Sequence, residues 1–169
     1  PQPLVEWLGE QAGDVLGFAR FGLGALRTGF TTVSEVRANW KIVIENYGEC
    51  LHCPTVHPEL VAVVPVYRSG EVYEEGNEGV TLADGGDSFT ATGRADLPRI
   101  PGMEGADGNS YFGAVVLPNM FIDVTGTSAI ATNMIPRGAT HTTIVTEYLF
   151  APEAVADPGF DPSPVVDFS

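Results

Sequence analysis

Between Glu45 and Pro58 the chain reads Glu-Asn-Tyr-Gly-Glu-Cys-Leu-His-Cys-Pro-Thr-Val-His-Pro, fourteen residues that hold two of its three histidines and both of its cysteines. Imidazoles, thiols and the carboxylates Glu45 and Glu49 in so short a run are the side chains of a metal site. Such a site would do chemistry, and the spacing of its members decides which.

Asn39 to Leu51 is predicted to be helical, because Trp40, Ile44, Tyr47 and Leu51 recur at the spacing of one apolar helix face. Pro54 is expected to end that helix, since an internal proline loses a hydrogen bond and clashes with the preceding turn. On an unbroken helix His52 and His57 would diverge by roughly 140° and stand about 7.5 Å apart along the axis. A break at the proline lets both imidazoles converge on one ion. Glu49, three residues before His52, is on the same helix face and can reach the ring nitrogen that a metal would not use.

The cysteines open other readings. Cys50 and Cys53 with the two histidines make a candidate zinc set, but structural zinc sites draw ligand pairs from both sides of a connecting segment, and here all four fall within eight residues. A thioredoxin-like pair belongs at the start of a helix, where the dipole lowers the thiol pKa; these cysteines come at a predicted helix end. They are read as small buried side chains beside the site. Two thiols at this spacing are not expected to form a structural disulfide, so a reducing, cytoplasmic compartment is expected.

The run Asn39-Trp40-Lys41, Glu45-Asn46-Tyr47, Glu49-Cys50, His52-Cys53 and His57-Pro58 resembles the catalytic-domain signature of Rieske-type non-haem iron oxygenases, the alpha subunits of aromatic-ring-hydroxylating dioxygenases and their monooxygenase relatives. The resemblance implies that His52 and His57 are the two histidines of a 2-His-1-carboxylate site for mononuclear Fe(2+), which leaves positions open for O2. It implies that Glu49 is the acidic residue that relays electrons from a [2Fe–2S] Rieske cluster on a neighbouring subunit. The Glu45-Asn46 pair lies one residue closer to His52 than in naphthalene-type dioxygenases, so Asn46 is given no pocket role. The choice of Glu49, Cys50 and Cys53 is similar to the branch of choline, glycine-betaine and carnitine monooxygenases. The family's third ligand is a carboxylate on a later helix; Glu147, Glu153, Asp157, Asp161 and Asp167 are the late acidic residues here, none in a matching context.

No C-x-H and C-x2-H pair of the kind that holds a Rieske cluster occurs in the sequence. Ser163 and Pro164 resemble a helix start just before Ser169. Residues 1–169 are therefore expected to be part of a catalytic domain, with the Rieske domain upstream and the last ligand downstream. The expected partners are an organic substrate and O2, a reductase or ferredoxin as electron donor, and further copies of the subunit in a trimer or related ring. The alternative is a hydrophobic-ligand-binding module without catalysis.

The chain's 169 residues, 44% of them hydrophobic, suffice for one core. Its 22 acidic against 8 basic side chains, a net charge of −14, disfavour nucleic acid and anionic membranes as partners. No secretory signal or apolar run of about 18 residues is visible.

A helix is predicted over Leu4 to Phe18 and a strand over Phe30 to Val36. Short extended pieces are expected at Val61 to Val66, Glu71 to Tyr73, Gly79 to Leu82 and Ser88 to Thr92, followed by a loop to Asn109. Tyr111 to Leu117, Met120 to Val124, Ser128 to Ile135 and His141 to Phe150 alternate as strands with short connections, which favours an antiparallel meander and an α+β class. The resemblance implies a helix-grip (START-like) domain, a curved antiparallel sheet packed against helices and incomplete at its C-terminal end. His141 is expected to be a surface strand histidine, Trp40 and Tyr47 core or site border, and Met120, Phe121 and Met134 core in preference to pocket, two roles that the sequence does not separate.

Overall fold

The computed structural model describes residues 2–70 and 79–168. The first expected helix is two short ones, α1 (Leu4–Leu8) and α2 (Ala12–Gly17). Gly9 divides them with φ 57°, a conformation that costs glycine little. Strand β1 (Arg27–Val36) leads to α3 (Trp40–Tyr47), then to α4 (Cys53–Val56) and α5 (Pro58–Val63). After β2 (Val80–Thr81) and a long loop come β3 (Ser110–Val116), β4 (Met120–Val124), β5 (Ala129–Gly138) and β6 (His141–Phe150), closed by α6 (Pro152–Ala156) and α7 (Ser163–Val166).

The six strands form one open antiparallel sheet in the order β1-β6-β5-β4-β3-β2. Strands β3 to β6 are the expected meander, because each apolar alternation ends at a short turn that can only reverse the chain. Alternation also sorts the side chains. Ile122, Val124 and Ala129 pack with Phe21, Phe112 and Met103 on one face, while Tyr111, Ile130 and Tyr148 meet Val63, Val64 and Phe89 on the other. Fully buried side chains such as Phe21, Phe150 and Met134 each contribute about 2 kcal/mol by leaving water. This is the α+β arrangement of helices against an antiparallel sheet.

Three expectations are corrected. Val61 to Val66 is not extended; Val61 and Val63 lie on α5, where Pro58 pre-sets the first turn. Ser88 to Thr92 is a tight loop tied by backbone bonds to Gly93, not a strand. Helix α3 ends at Tyr47 rather than Leu51, which is 78% exposed. Glu71 to Tyr73 lies outside the described residues.

Among the described residues no helix is long and apolar enough to cross a membrane.

Candidate functional site

Helix α3 is anchored at its start by Asn39, whose side-chain oxygen accepts the Lys41 N–H at 3.0 Å and whose amide donates to the Ala139 carbonyl between β5 and β6. Its end has a local cause. The Glu49 carboxylate accepts the Leu51 N–H at 2.6 Å, and that side-chain bond replaces the helical one. The chain then turns, with Cys53 N–H donating to Cys50 C=O, and α4 begins at Cys53. Pro54 therefore sits in the first turn of a helix, where its missing N–H costs nothing, instead of ending one.

His52 precedes α4 and His57 follows it, with φ −125° and ψ 58° making His57 a non-helical joint before Pro58. One helical turn thus carries a histidine at each end. The two rings lie 5.2 Å apart between centroids, at 76° to each other. Behind His52, Nδ1 is 2.6 Å from Glu49 Oε1. That hydrogen bond to His52, chief among the causes, holds the Glu49 carboxyl below the usual range. With Nδ1 committed to Glu49, Nε2 is the nitrogen free for a ligand, and Asn46 Nδ2 stands 3.5 Å from it. Asn46, given no pocket role by its spacing, reaches His52 because α3 stops early.

The cysteines require a correction: Cys50 and Cys53 form a disulfide, with Cα atoms 5.0 Å apart. The turn between them brings the Cα atoms within bridging reach. They are buried, as expected, against Val61. The inference from free thiols to a reducing compartment loses its premise.

Glu49, His52 and His57 stand at the rim of a cavity of about 710 Å³ between this segment and the sheet. Its floor is formed in part by successive rows across the sheet. Val115, Phe121, Thr132, Thr146 and Thr32 are paired neighbours in one row, and Gly113, Asp123, Ile130 and Tyr148 in the next. Asp123 is only 8% exposed. Its Oδ1 accepts hydrogen bonds from Tyr47 Oη at 2.6 Å and Tyr111 Oη at 2.8 Å. Burial, partly offset by these two donors, pushes the Asp123 carboxyl up to about 6. Burial and the nearby carboxylate push Tyr47 and Tyr111 well above the usual phenol range, and burial brings Tyr67 up to about 12. Sequence reading passed over Asp123, although a single acid in the apolar strand Met120-Phe121-Ile122-Asp123-Val124 was a signal.

Two imidazoles with a carboxylate behind one of them suit a divalent first-row metal and would supply two nitrogen donors. Among the described residues no group of three or more His, Cys, Asp or Glu side chains is placed to hold an ion. The late acids do not complete one. Glu147 alternates with the cavity-facing Thr146 and Tyr148, and Glu153, Asp157, Asp161 and Asp167 border a separate depression beside α6 and α7. His141 lies apart on the surface, 2.9 Å from Glu35.

Residues 23–168 match the family model of the ring hydroxylating alpha subunit (catalytic domain). The glycine betaine monooxygenase oxygenase subunit of Chromohalobacter salexigens is 25% identical over 157 residues, covering 75% of this chain and 35% of that protein. The chain thus spans about a third of that relative's length. A quaternary ammonium Rieske monooxygenase studied for carnitine oxidation by gut microbiota superposes with a TM-score of 0.68 at 18% identity, covering 99% of this chain and 42% of its own. Naphthalene 1,2-dioxygenase from Rhodococcus sp. does so with a TM-score of 0.58 at 13% identity, covering 99% and 44%. These likenesses establish the fold, an open antiparallel sheet with helices.

Proposed function

We propose, for a chain that belongs to the family of ring-hydroxylating alpha-subunit catalytic domains, that it is the oxygen-activating part of a Rieske-type terminal oxygenase acting on an organic substrate, an aromatic ring or a quaternary amine. The observation that carries this is the Glu49–His52 contact of 2.6 Å with the His57 ring 5.2 Å from that of His52.

In this reading His52, through Nε2, and His57 would hold mononuclear iron(II), with a carboxylate outside the described residues completing the set. When bound, the iron supplies O2 reduction with two electrons and two protons, for monohydroxylation with release of one water, dihydroxylation or oxidative demethylation. Glu49 keeps a proton on Nδ1 of His52, so that Nε2 presents its lone pair, and it fixes the ring's orientation. Its partly exposed carboxylate is the point at which electrons from a [2Fe–2S] Rieske cluster, supplied by a reductase or ferredoxin, would enter. The aromatic side chains in the cavity lining, Tyr47, Phe89, Tyr111 and Phe121 among them, would hold the substrate away from water beside the histidines. A neighbouring copy in a ring would supply the cluster.

The test is His52→Ala in the protein with its electron donor. Mononuclear iron should fall to background while a Rieske spectrum, where the cluster is present, is unchanged. Stoichiometric mononuclear iron and normal oxygen uptake in this variant would overturn the assignment. A wild-type protein that binds apolar ligands but neither iron nor oxygen would instead be a binding module.

A further inference from the structure

Asp123 is the one buried carboxylate among the described cavity-lining residues. Glu49 is committed to His52 and the Leu51 N–H, and Glu59 is exposed. No lysine or arginine occurs in the described lining. Both phenols donate to the same oxygen, Oδ1, and Oδ2 receives no hydrogen bond from the described residues. A buried carboxylate with half of its acceptor capacity unused and no counter-ion is costly, because desolvation outweighs what two neutral donors return. A ligand that brings positive charge to Oδ2 removes that cost. A neutral hydrocarbon ring does not.

The surroundings restrict the kind of cation. Tyr47 stacks on Phe121 at 3.8 Å between centroids, and Phe89 packs on Tyr111 at 4.9 Å. Hard metal cations need several oxygen ligands, and a single carboxylate among rings does not provide them. Aromatic rings beside one carboxylate suit an organic ammonium, which gains from ring quadrupoles and from Coulomb attraction in a low dielectric. We propose that Asp123, held by Tyr47 and Tyr111, is the counter-charge that selects substrates bearing an ammonium group. Calling the bound cation a substrate rests on the oxygenase reading; the binding itself does not.

The test is equilibrium calorimetry at pH 7.5 with choline and its neutral carbon isostere 3,3-dimethylbutan-1-ol. In the wild-type protein choline should bind about ten-fold or more tightly than the alcohol, and Asp123→Asn, which keeps the shape and removes the charge, should bring the ratio near one. Equal affinities in the wild type, no choline binding, or an undiminished ratio in Asp123→Asn would each overturn the proposal. Tyr111→Phe serves if Asp123→Asn does not fold: it keeps the carboxylate, so the ratio should persist, and its collapse would assign recognition to the phenol and overturn the role of Asp123. Trimethylammonium, with its one N–H, separates hydrogen bonding to Oδ2 from Coulomb attraction alone. Iron content of the same samples keeps the two proposals apart: iron without charge selection sinks this one only, and charge selection without iron sinks the oxygenase reading only.

Discussion

Gly113 lies directly opposite Asp123 in the β3–β4 ladder, and the missing side chain is what lets two phenols reach the carboxylate. A Cβ at 113 would collide with the Tyr111 hydroxyl and stand 3.1 Å from that of Tyr47. Gly113→Ala is therefore expected to displace the phenols from Asp123 although it removes no functional group. Overpacking of this kind costs about 1–3 kcal/mol. A denaturant midpoint equal to that of the wild type would show that the phenols have room to move.

Asp123 also gives stability a definite dependence on pH. Its folded carboxyl titrates at about 6, raised by burial above the ordinary 3.8. Between those values the folded state holds a proton that the unfolded state has lost, so stability falls as pH rises through the window, by about 3 kcal/mol in all. Tyr47, Tyr67 and Tyr111, the titratable groups around it, are raised and stay neutral throughout. Glu49 and Asp161 are lowered and act in the opposite sense at lower pH. The difference between wild type and Asp123→Asn in urea titrations from pH 4 to 7 isolates the effect. A difference that does not vary with pH would place the Asp123 pKa at its ordinary value.

Strands β3 to β6 were legible because alternation and short turns depend only on near neighbours; β4 and β6 have the predicted limits. The start of α3 was legible to within one residue because the apolar spacing begins at Trp40. The site segment was not, because the helix ends where the Glu49 side chain takes the Leu51 N–H, a competition that the apolar stripe does not register. From that early end follow both the approach of Asn46 to His52 and the placement of Pro54 at a helix start. Asp123 needed the sheet register, which sets it beside Gly113 on β3 and Ile130 on β5.

The Cys50–Cys53 bridge lies within the segment between Glu49 and His57 and closes a very short loop. Loop-closure entropy for so few residues gives about 2 kcal/mol at most. Reduction should therefore lower the denaturant midpoint modestly and leave the sheet intact by circular dichroism. Its larger effect is expected at the turn that seats His52, seen as weakened metal binding in the reduced protein. Identical metal affinity with and without reductant would show that Glu49 and α4 hold the ring without the bridge.

Glu49→Gln separates the two tasks assigned to that carboxylate. Gln retains one carbonyl oxygen where the carboxylate uses Oε1 for the His52 Nδ1–H and Oε2 for the Leu51 N–H, so it keeps one of these bonds and not both; with that oxygen on His52 the ring orientation should persist while the Leu51 bond is lost. Also lost is the charge that strengthens the bond to His52 and makes the imidazole a better donor. Iron should remain bound, with affinity lower by about 10-fold to 100-fold. With iron restored by excess metal, a fall in single-turnover rate at an unchanged iron spectrum reports electron delivery through residue 49. A fall in rate accompanied by a changed iron spectrum reports the weaker His52 donor instead. A Glu49→Gln variant that turns over at the wild-type rate once iron is saturating would confine Glu49 to orienting His52 and remove it from the electron path.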